Sequence, residues 1–385
     1  MEVPLAQKES TSIRTIAAAV IIVLLMGVTL GFFLFSGSTN GNGNTTTTTP
    51  TTTTTMTSPT TTTPTEPMQD GEIAIVFTTS GLGDKSFNDA AFRGAQQFEN
   101  DFGWDFDYVE PESISEYETH LRDYADPEGR EPYELIISIG FDQAESLNET
   151  AEDYPNQKFC IIDTVVDQPN VSSAVFDEHE GSALVGAIAG MWTEREQIGF
   201  IGGMDIPLVN RYAAGYVWGA NYSNPGIDFT VSYTGSWTDT TAGQNLADGM
   251  YANGVDTIYT AAGRAGLGAF TAAKNNNTDH NVWVIGSDSP QMYLGTENPE
   301  NPEPPTVCVT SMLKKIDVAV YENIKNVYNN QFQGGVQVFD LANGGLGYET
   351  NQDLLSLPAD IITAVENLKQ KIIDGELTVP SSKYW

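Results

Sequence analysis

Strand-like and helix-like segments alternate from about residue 70 to the C-terminus, and this alternation constrains the fold more than any other feature. The strand-like segments are apolar runs rich in β-branched residues, at 72–78, 105–109, 134–139, 158–163, 197–201, 228–233, 257–260 and 281–286. Segments with a helical pattern lie between them, the first at 88–101 and 116–124. Continuous apolar strands separated by helices are typical of parallel sheets that helices cover on both faces.

The number of strand–helix units separates two architectures within the α/β class. Eight such units exceed one open sheet of ordinary size, so two Rossmann-like lobes are favoured. A closed eight-unit barrel is the competing architecture, because it also alternates strands with helices.

The N-terminal part of the chain has a different composition. Residues 15–35 are apolar and carry no charge, and Lys8 and Arg14 precede them. This length and this charge bias predict a transmembrane anchor or uncleaved signal, with residues 1–14 in the cytoplasm and the rest of the chain outside. Residues 36–69, rich in Thr, Gly, Asn and Pro, predict a disordered stalk.

The net charge and the low counts of cysteine and histidine exclude several classes of function. The chain has 51 Asp and Glu against 17 Lys and Arg, a net charge of −34, which argues against a nucleic-acid partner. The two cysteines, Cys160 and Cys308, lie in apolar runs and read as buried thiols, although one disulfide remains possible. The three histidines have no metal-ligand spacing to cysteine, so we expect neither a metal nor a cofactor.

The loops that follow the predicted strands carry carboxylates, amides, glycines and aromatic residues. The stretch GLGDKSFN at 81–88 has neither the Gly-Lys-Ser/Thr of a P-loop nor the third glycine of a dinucleotide-binding turn. No G-x-S-x-G motif appears, so catalysis is disfavoured. These loops suit a neutral ligand with hydroxyl groups and a flat ring.

Structural roles compete with ligand binding for some of these residues. Asp84 or Asn88 could cap the helix that begins near residue 88, and Phe87 and Phe92 could belong to the core. Trp237 lies in a loop between Gly, Ser and Thr, where a core role is harder to explain.

Four segments, 81–88, 161–182, 198–220 and 310–322, resemble the basic membrane protein family in the family's own order. That family comprises substrate-binding proteins of ABC importers, including purine nucleoside receptor lipoproteins. The resemblance implies a type I periplasmic-binding-protein fold with two lobes and a three-segment hinge. The implied lobe limits are 70–177 with 306–333 for the first lobe, and 178–305 with 334–385 for the second.

The resemblance also implies which residues contact the ligand. Phe92 and Trp237 match the aromatic residues that sandwich the base, and Gly263 matches a backbone contact. Asp288 and Lys314 match the residues that meet the ribose hydroxyls. The remaining candidates for base or ribose contacts are Asp84, Asn88, and Asp142 or Asp163.

Together these features predict a membrane-anchored, extracytoplasmic receptor that binds a nucleoside, in particular a purine nucleoside, and delivers it to an ABC permease. We expect a monomer. The bacterial members carry an acylated cysteine, whereas this chain has the apolar segment and the Thr-rich stretch instead. A sensory receptor is the alternative function, and a nucleoside-processing enzyme is a weaker one.

Overall fold

The computed structural model describes residues 71–277 and 281–385. The strands are β1 (Glu72–Val76), β2 (Asp105–Val109), β3 (Leu135–Ile139), β4 (Phe159–Ile162), β5 (Val171–Phe176), β6 (Gln197–Gly202), β7 (Asp228–Tyr233), β8 (Thr257–Ala261), β9 (Trp283–Asp288), β10 (Cys308–Lys314), β11 (Gly335–Phe339) and β12 (Leu346–Tyr348). The α-helices are α1 (Phe87–Phe102), α2 (Tyr117–Ala125), α3 (Ala144–Asp153), α4 (Glu178–Trp192), α5 (Pro207–Ser223), α6 (Thr240–Ala252), α7 (Leu267–Asn276), α8 (Ile316–Tyr328) and α9 (Ala359–Ile373).

The predicted N-terminal segments 1–14, 15–35 and 36–69 lie outside the described residues. Within the described part of the chain, every helix is too short or too polar to cross a membrane.

The strands form two separate six-stranded sheets. The first has the order β11-β5-β4-β3-β1-β2, and the second has the order β12-β10-β9-β8-β6-β7. Neighbouring strands are parallel, except that β12 runs antiparallel to β10. Both sheets end in edge strands, so the fold is the predicted pair of α/β lobes and not a closed barrel.

Helices cover both faces of each sheet, as the continuous apolar strands predict. In β1, Ile73 and Ile75 face a core shared with α1 and α8, whereas Ala74 and Val76 face a core shared with α2 and α3. Strands β3, β4 and β8 are buried along their whole length. We call the first sheet with α1, α2, α3 and α8 lobe 1, and the second sheet with α4, α5, α6, α7 and α9 lobe 2.

The chain passes between the sheets three times, which sets the lobe limits. The first passage, at Asp177 between β5 and α4, agrees with the limits that the family resemblance implied. The second and third passages lie at other residues than the implied limits, because β10 pairs with β9 in the second sheet and β11 pairs with β5 in the first. The passages therefore lie at Lys315 and between β11 and β12. These passages differ from the limits at 306 and 334 that the resemblance implied, because an apolar run does not encode which of two sheet edges it joins.

The three passages are hydrogen-bonded into one connection. The amide of Asp177 donates to the carbonyl of Phe339 at 3.0 Å, and the amide of Lys315 donates to the carbonyl of Gly345 at 2.9 Å. They join the lobes on one side of a cavity.

Candidate functional site

A cavity lies between the two lobes, at the carboxyl ends of the strands. Its position is where open α/β sheets bind ligands. Seven of the residues selected from the sequence line it: Asp84, Asn88, Asp142, Asp163, Trp237, Gly263 and Asp288. The other two, Phe92 and Lys314, do not line it.

Asp84 and Asn88 build the lobe 1 wall between β1 and α1. The Asp84 carboxylate accepts hydrogen bonds from the amides of Ser86 at 2.9 Å and Asn88 at 2.8 Å. The Asn88 side chain donates to the hydroxyls of Thr78 at 2.9 Å and Ser80 at 3.0 Å. Asp84 therefore satisfies the free amides at the start of α1, which is the capping role that the sequence left open. Burial raises the pKa of Asp84, and these amides partly lower it.

Phe87, and not Phe92, presents its ring to the cavity from lobe 1. Phe92 is half-buried and packs edge-on against Phe106 and Tyr108, with ring centroids 5.4 Å and 5.7 Å away. The two phenylalanines are five residues apart on α1, which turns their side chains about 140° from each other. Phe87 therefore lines the cavity where the family resemblance suggested Phe92, and the two positions differ by more than one helical turn.

Trp237 reaches the cavity from lobe 2, in the loop after β7. Its ring lies against Gly203, where any side chain would overlap it, and its carbonyl accepts from the amide of Ala265 at 2.9 Å. Gly263, which has a φ of +54°, lies beside Trp237 and exposes backbone to the cavity. The left-handed backbone conformation of this residue favours glycine.

Asp142 presents a carboxylate oxygen that has no protein partner. The Tyr117 hydroxyl donates to Oδ2 of Asp142 at 2.9 Å and accepts from the amide of Thr79 at 3.1 Å. Oδ1 of Asp142 is buried without a hydrogen bond. Burial raises the pKa of Asp142, and the bond from Tyr117 lowers it. A buried acceptor without a partner is costly, so Oδ1 is an acceptor that the described chain leaves unsatisfied.

Replacing Tyr117 by phenylalanine is expected to raise the pKa of Asp142 further, because the hydrogen bond that favours the ionised carboxylate is lost while burial remains. An NMR titration of the carboxyl carbon measures this pKa. The control is Tyr124→Phe on the same helix, since the hydroxyl of Tyr124 does not bond to Asp142. An Asp142 pKa that is equal in the two variants would contradict the positioning role of Tyr117.

Asp288 and Asp163 approach the cavity from opposite lobes. Both have φ values in the left-handed region, 67° and 76°, which is uncommon for residues with a side chain. Asp288 accepts from the Ser86 hydroxyl at 2.9 Å and from the Tyr212 hydroxyl at 3.1 Å. Burial raises the pKa of Asp288, while the charge of Lys314 lowers it. Unusual backbone geometry at both carboxylates is typical of residues that a site holds in place.

Lys314 lies behind the cavity wall and does not line it, whereas the family resemblance implied a direct ribose contact. Its Nζ is 2.5 Å from Oδ1 of Asp163, 3.1 Å from Oε1 of Glu178 and 3.2 Å from the Tyr212 hydroxyl. The side chain is fully buried. Burial lowers the pKa of Lys314, but the surrounding carboxylates raise it more, so the ammonium stays charged. Lys314 thus orients Asp163 and Tyr212, which do line the cavity.

Three aromatic residues that line the cavity were not among the predicted ligand contacts: Phe87, Phe141 and Tyr212. Phe141 immediately precedes Asp142 in a strand-end loop that the sequence did single out, so it could have been found. Tyr212 lies inside α5, and its position in a helix offered no signal.

Known proteins identify the family. The sequence profile of the Bmp family, described as ABC transporter substrate-binding protein PnrA-like, matches residues 72–383. The chain belongs to the Bmp family. The ABC transporter nucleoside-binding protein BmpA of Lactococcus lactis is 35% identical over 322 residues, covering 81% of this chain and 90% of that protein. An uncharacterised lipoprotein of Pyrococcus furiosus is 32% identical over 331 residues, covering 80% of each chain.

A solved structure agrees with this assignment. The structure of an ABC transporter solute-binding protein from Aeropyrum pernix superposes with a TM-score of 0.72 at 31% identity, covering 81% of this chain and 94% of that one. The resemblance seen in the sequence motifs is confirmed. The chain is a substrate-binding protein of the ABC-transporter type and not an enzyme.

Proposed function

We propose that this Bmp protein binds a nucleoside, in particular a purine nucleoside, in the cavity between its lobes and delivers it to an ABC permease. The observation that carries the proposal is the chemistry of the cavity wall. Four carboxylates, Asp84, Asp142, Asp163 and Asp288, line it together with aromatic rings, and no lysine, arginine or histidine of the described chain does. Such a wall disfavours an anionic ligand and favours a neutral one that donates several hydrogen bonds.

Within this proposal, the two lobes contribute different parts of the site. Phe87 from lobe 1 and Trp237 from lobe 2 stack on the two faces of the base. Asp288 and Asp163 accept from the ribose hydroxyls, and Oδ1 of Asp142 accepts from an N–H group of the base. Asp84 and Asn88 stabilise the part of the cavity wall that carries Phe87, since their side chains are already hydrogen-bonded within lobe 1.

Binding is coupled to closure of the lobes about the three passages between the sheets, which form the hinge of this proposal. The ligand then contacts both lobes at once, and the closed form is what the permease recognises. A monomer suffices for this function, because both lobes belong to one chain.

The membrane anchor at 15–35 and the stalk at 36–69 remain part of the proposal, on the sequence evidence. A tether keeps the receptor near its permease and raises its effective concentration there. The naming of the Pyrococcus furiosus relative as a lipoprotein supports a membrane location. Membrane fractions should retain the full chain but not a chain that begins at residue 70, and release of both forms would contradict the anchor.

Calorimetric titration tests the nucleoside assignment. We expect heat from adenosine, guanosine or inosine, weaker heat from uridine, and little from ribose or free base alone. Removal of co-purified ligand by partial unfolding and refolding must precede the titration. A folded, ligand-free protein that gives no heat with any nucleoside would exclude the proposal.

The roles of the two phenylalanines on α1 give a matched test. Phe87→Leu is expected to weaken nucleoside binding by about 1 kcal/mol, because an aliphatic side chain cannot stack on the base. Phe92→Leu removes a ring of the same size from the same helix and is expected to leave the affinity unchanged. Calorimetry on both variants measures the difference, and a larger loss in Phe92→Leu would restore the original assignment.

A further inference from the structure

The loop between β1 and α1 presents a row of backbone carbonyls to lobe 2. The accepting carbonyls are those of Ser80, Leu82, Lys85 and Ser86, and the donors are the side chains of Arg264, Ser289 and Gln291. This loop contains the GLGDKSFN stretch. The same loop carries Asp84 in the cavity wall and leads directly into Phe87, the first residue of α1, so it forms both a part of the site and a contact between the lobes.

Arg264 binds the first part of the row. Its Nη2 donates to the carbonyl of Ser80 at 2.9 Å and to the carbonyl of Leu82 at 2.6 Å. The bond from the amide of Ala265 to the carbonyl of Trp237 holds the segment that carries Arg264. A guanidinium group that donates to two carbonyls makes charge-assisted bonds, which are stronger than bonds between neutral groups.

Ser289 and Gln291 bind the second part of the row, in the loop after β9. The Gln291 amide group donates to the carbonyl of Lys85 at 2.8 Å, and the Ser289 hydroxyl donates to the carbonyl of Ser86 at 2.9 Å. Gln291 is itself held by the buried carboxylate of Glu349, which accepts from the Gln291 backbone amide at 2.8 Å. These donors are therefore fixed within lobe 2.

The amides of the same loop are already used inside lobe 1. Asp89 accepts from the amides of Gly83 at 2.6 Å and Lys85 at 3.1 Å, and Glu110 accepts from the amide of Leu82 at 2.7 Å. Because these amides donate to carboxylates of lobe 1, the carbonyls of the loop are available to donors from lobe 2. Buried carbonyls need donors, so closing the lobes without Arg264, Ser289 and Gln291 would be costly.

We propose that this loop and these three side chains form an interlobe latch that stabilises the closed form, with Arg264 as its strongest element. The proposal rests on the function above in that closure traps a nucleoside. The latch does not touch the ligand as Phe87 and Trp237 do. It sets how long the protein stays closed, whereas the cavity wall sets which ligand binds.

Affinity that depends on a closing equilibrium scales with the fraction of closed protein. Loss of the latch therefore raises the Kd of every ligand by the same factor, through a faster dissociation rate. Since two charge-assisted bonds are lost in Arg264→Ala, we expect a rise of about 10- to 100-fold for each nucleoside that the wild type binds. Arg264→Lys keeps the charge with poorer geometry and is expected to give a smaller rise.

The experiment combines binding kinetics with the distance between the lobes. Spin labels at Glu145→Cys on α3 and Asn245→Cys on α6 report that distance, and both positions are exposed. The native cysteines are fully buried and do not compete for the label. The control is Arg195→Ala, an exposed arginine of lobe 2 between α4 and β6, which precedes the N-terminal end of β6.

With the latch intact we expect a population of short distances, with or without nucleoside. Arg264→Ala should shift it to longer distances, and Arg195→Ala should not. An unchanged distance distribution in a folded Arg264→Ala variant, or a Kd that rises for one nucleoside alone, would overturn the latch. If the wild type binds no nucleoside while Arg264→Ala still lengthens the distances, the nucleoside assignment fails and the latch stands.

Discussion

Replacing Lys314 by methionine is expected to lower the free energy of unfolding by about 3–5 kcal/mol, because it leaves the buried carboxylate of Asp163 without its counter-charge and leaves Glu178 only Arg211, at 2.9 Å. Asp163 and Glu178 lie 2.5 Å and 3.1 Å from the ammonium, and both carboxylates are almost or fully buried. Methionine fills a similar volume, so the loss of charge and not a cavity dominates the change. Urea denaturation followed by circular dichroism measures the effect.

The matched control is Lys325→Met on α8. Lys325 pairs with Glu322 at 3.1 Å, but both side chains are more than a third exposed, so this pair is expected to contribute less than about 1 kcal/mol. The two variants change the net charge equally. If they unfold at the same urea concentration, the buried charge cluster does not stabilise the fold as described here.

The second large effect is expected at the contact between α4 and α5. A Cβ on Gly219 of α5 would overlap the carbonyl of Ala183 on α4, and neither backbone can rotate away. Gly186 of α4 faces the backbone of Tyr216 in the same way. Gly219→Ala is therefore expected to destabilise the protein by about 1–3 kcal/mol through overpacking. Because α4 carries Glu178 and α5 carries Tyr212, nucleoside affinity should fall as well.

Gly249→Ala provides the comparison, since Gly249 lies inside α6 and a Cβ there would meet no atom within 4 Å. In open space, alanine in a helix is favoured over glycine by about 0.5–1 kcal/mol, so this variant is expected to gain stability. Thermal unfolding of both variants shows whether each substitution stabilises or destabilises the protein. A Gly219→Ala variant that melts at or above the wild type would show that the two helices can move apart.

Strands β3 and β4 are runs of apolar residues buried on both faces, and prediction and structure agree on them within one residue at either end. The edge strands β2 and β7 were predicted with the bounds that the structure has, although they are largely exposed, whereas the buried strand β10 was not predicted. The strand β5 has two serines in its sequence VSSAVF, and β12 has three residues. Their apolar patterns are too short or too interrupted to indicate a strand, so only their pairing with a neighbouring strand in the structure identifies them as strands.

Among site residues, those in strand-end loops were accessible to sequence reasoning, and those that act through other side chains were not. Asp142 and Asp288 follow or end predicted strands, and parallel sheets bring such positions to one edge. Lys314 matched a family position, yet its ion-pair partners are Asp163 and Glu178, which are distant from it in the chain. A contact between distant residues leaves no spacing to detect.

The sequence by itself determined the α/β class, the two lobes, the family and the loops that meet at the cleft, because periodicity and strand-end position are local properties of the chain. The tertiary structure decided which phenylalanine faces the cavity, because that depends on how α1 is rotated against its sheet. It also decided that Lys314 lies behind the wall and that the GLGDKSFN loop faces Arg264 with its carbonyls. These outcomes depend on packing between distant segments, which no local pattern specifies.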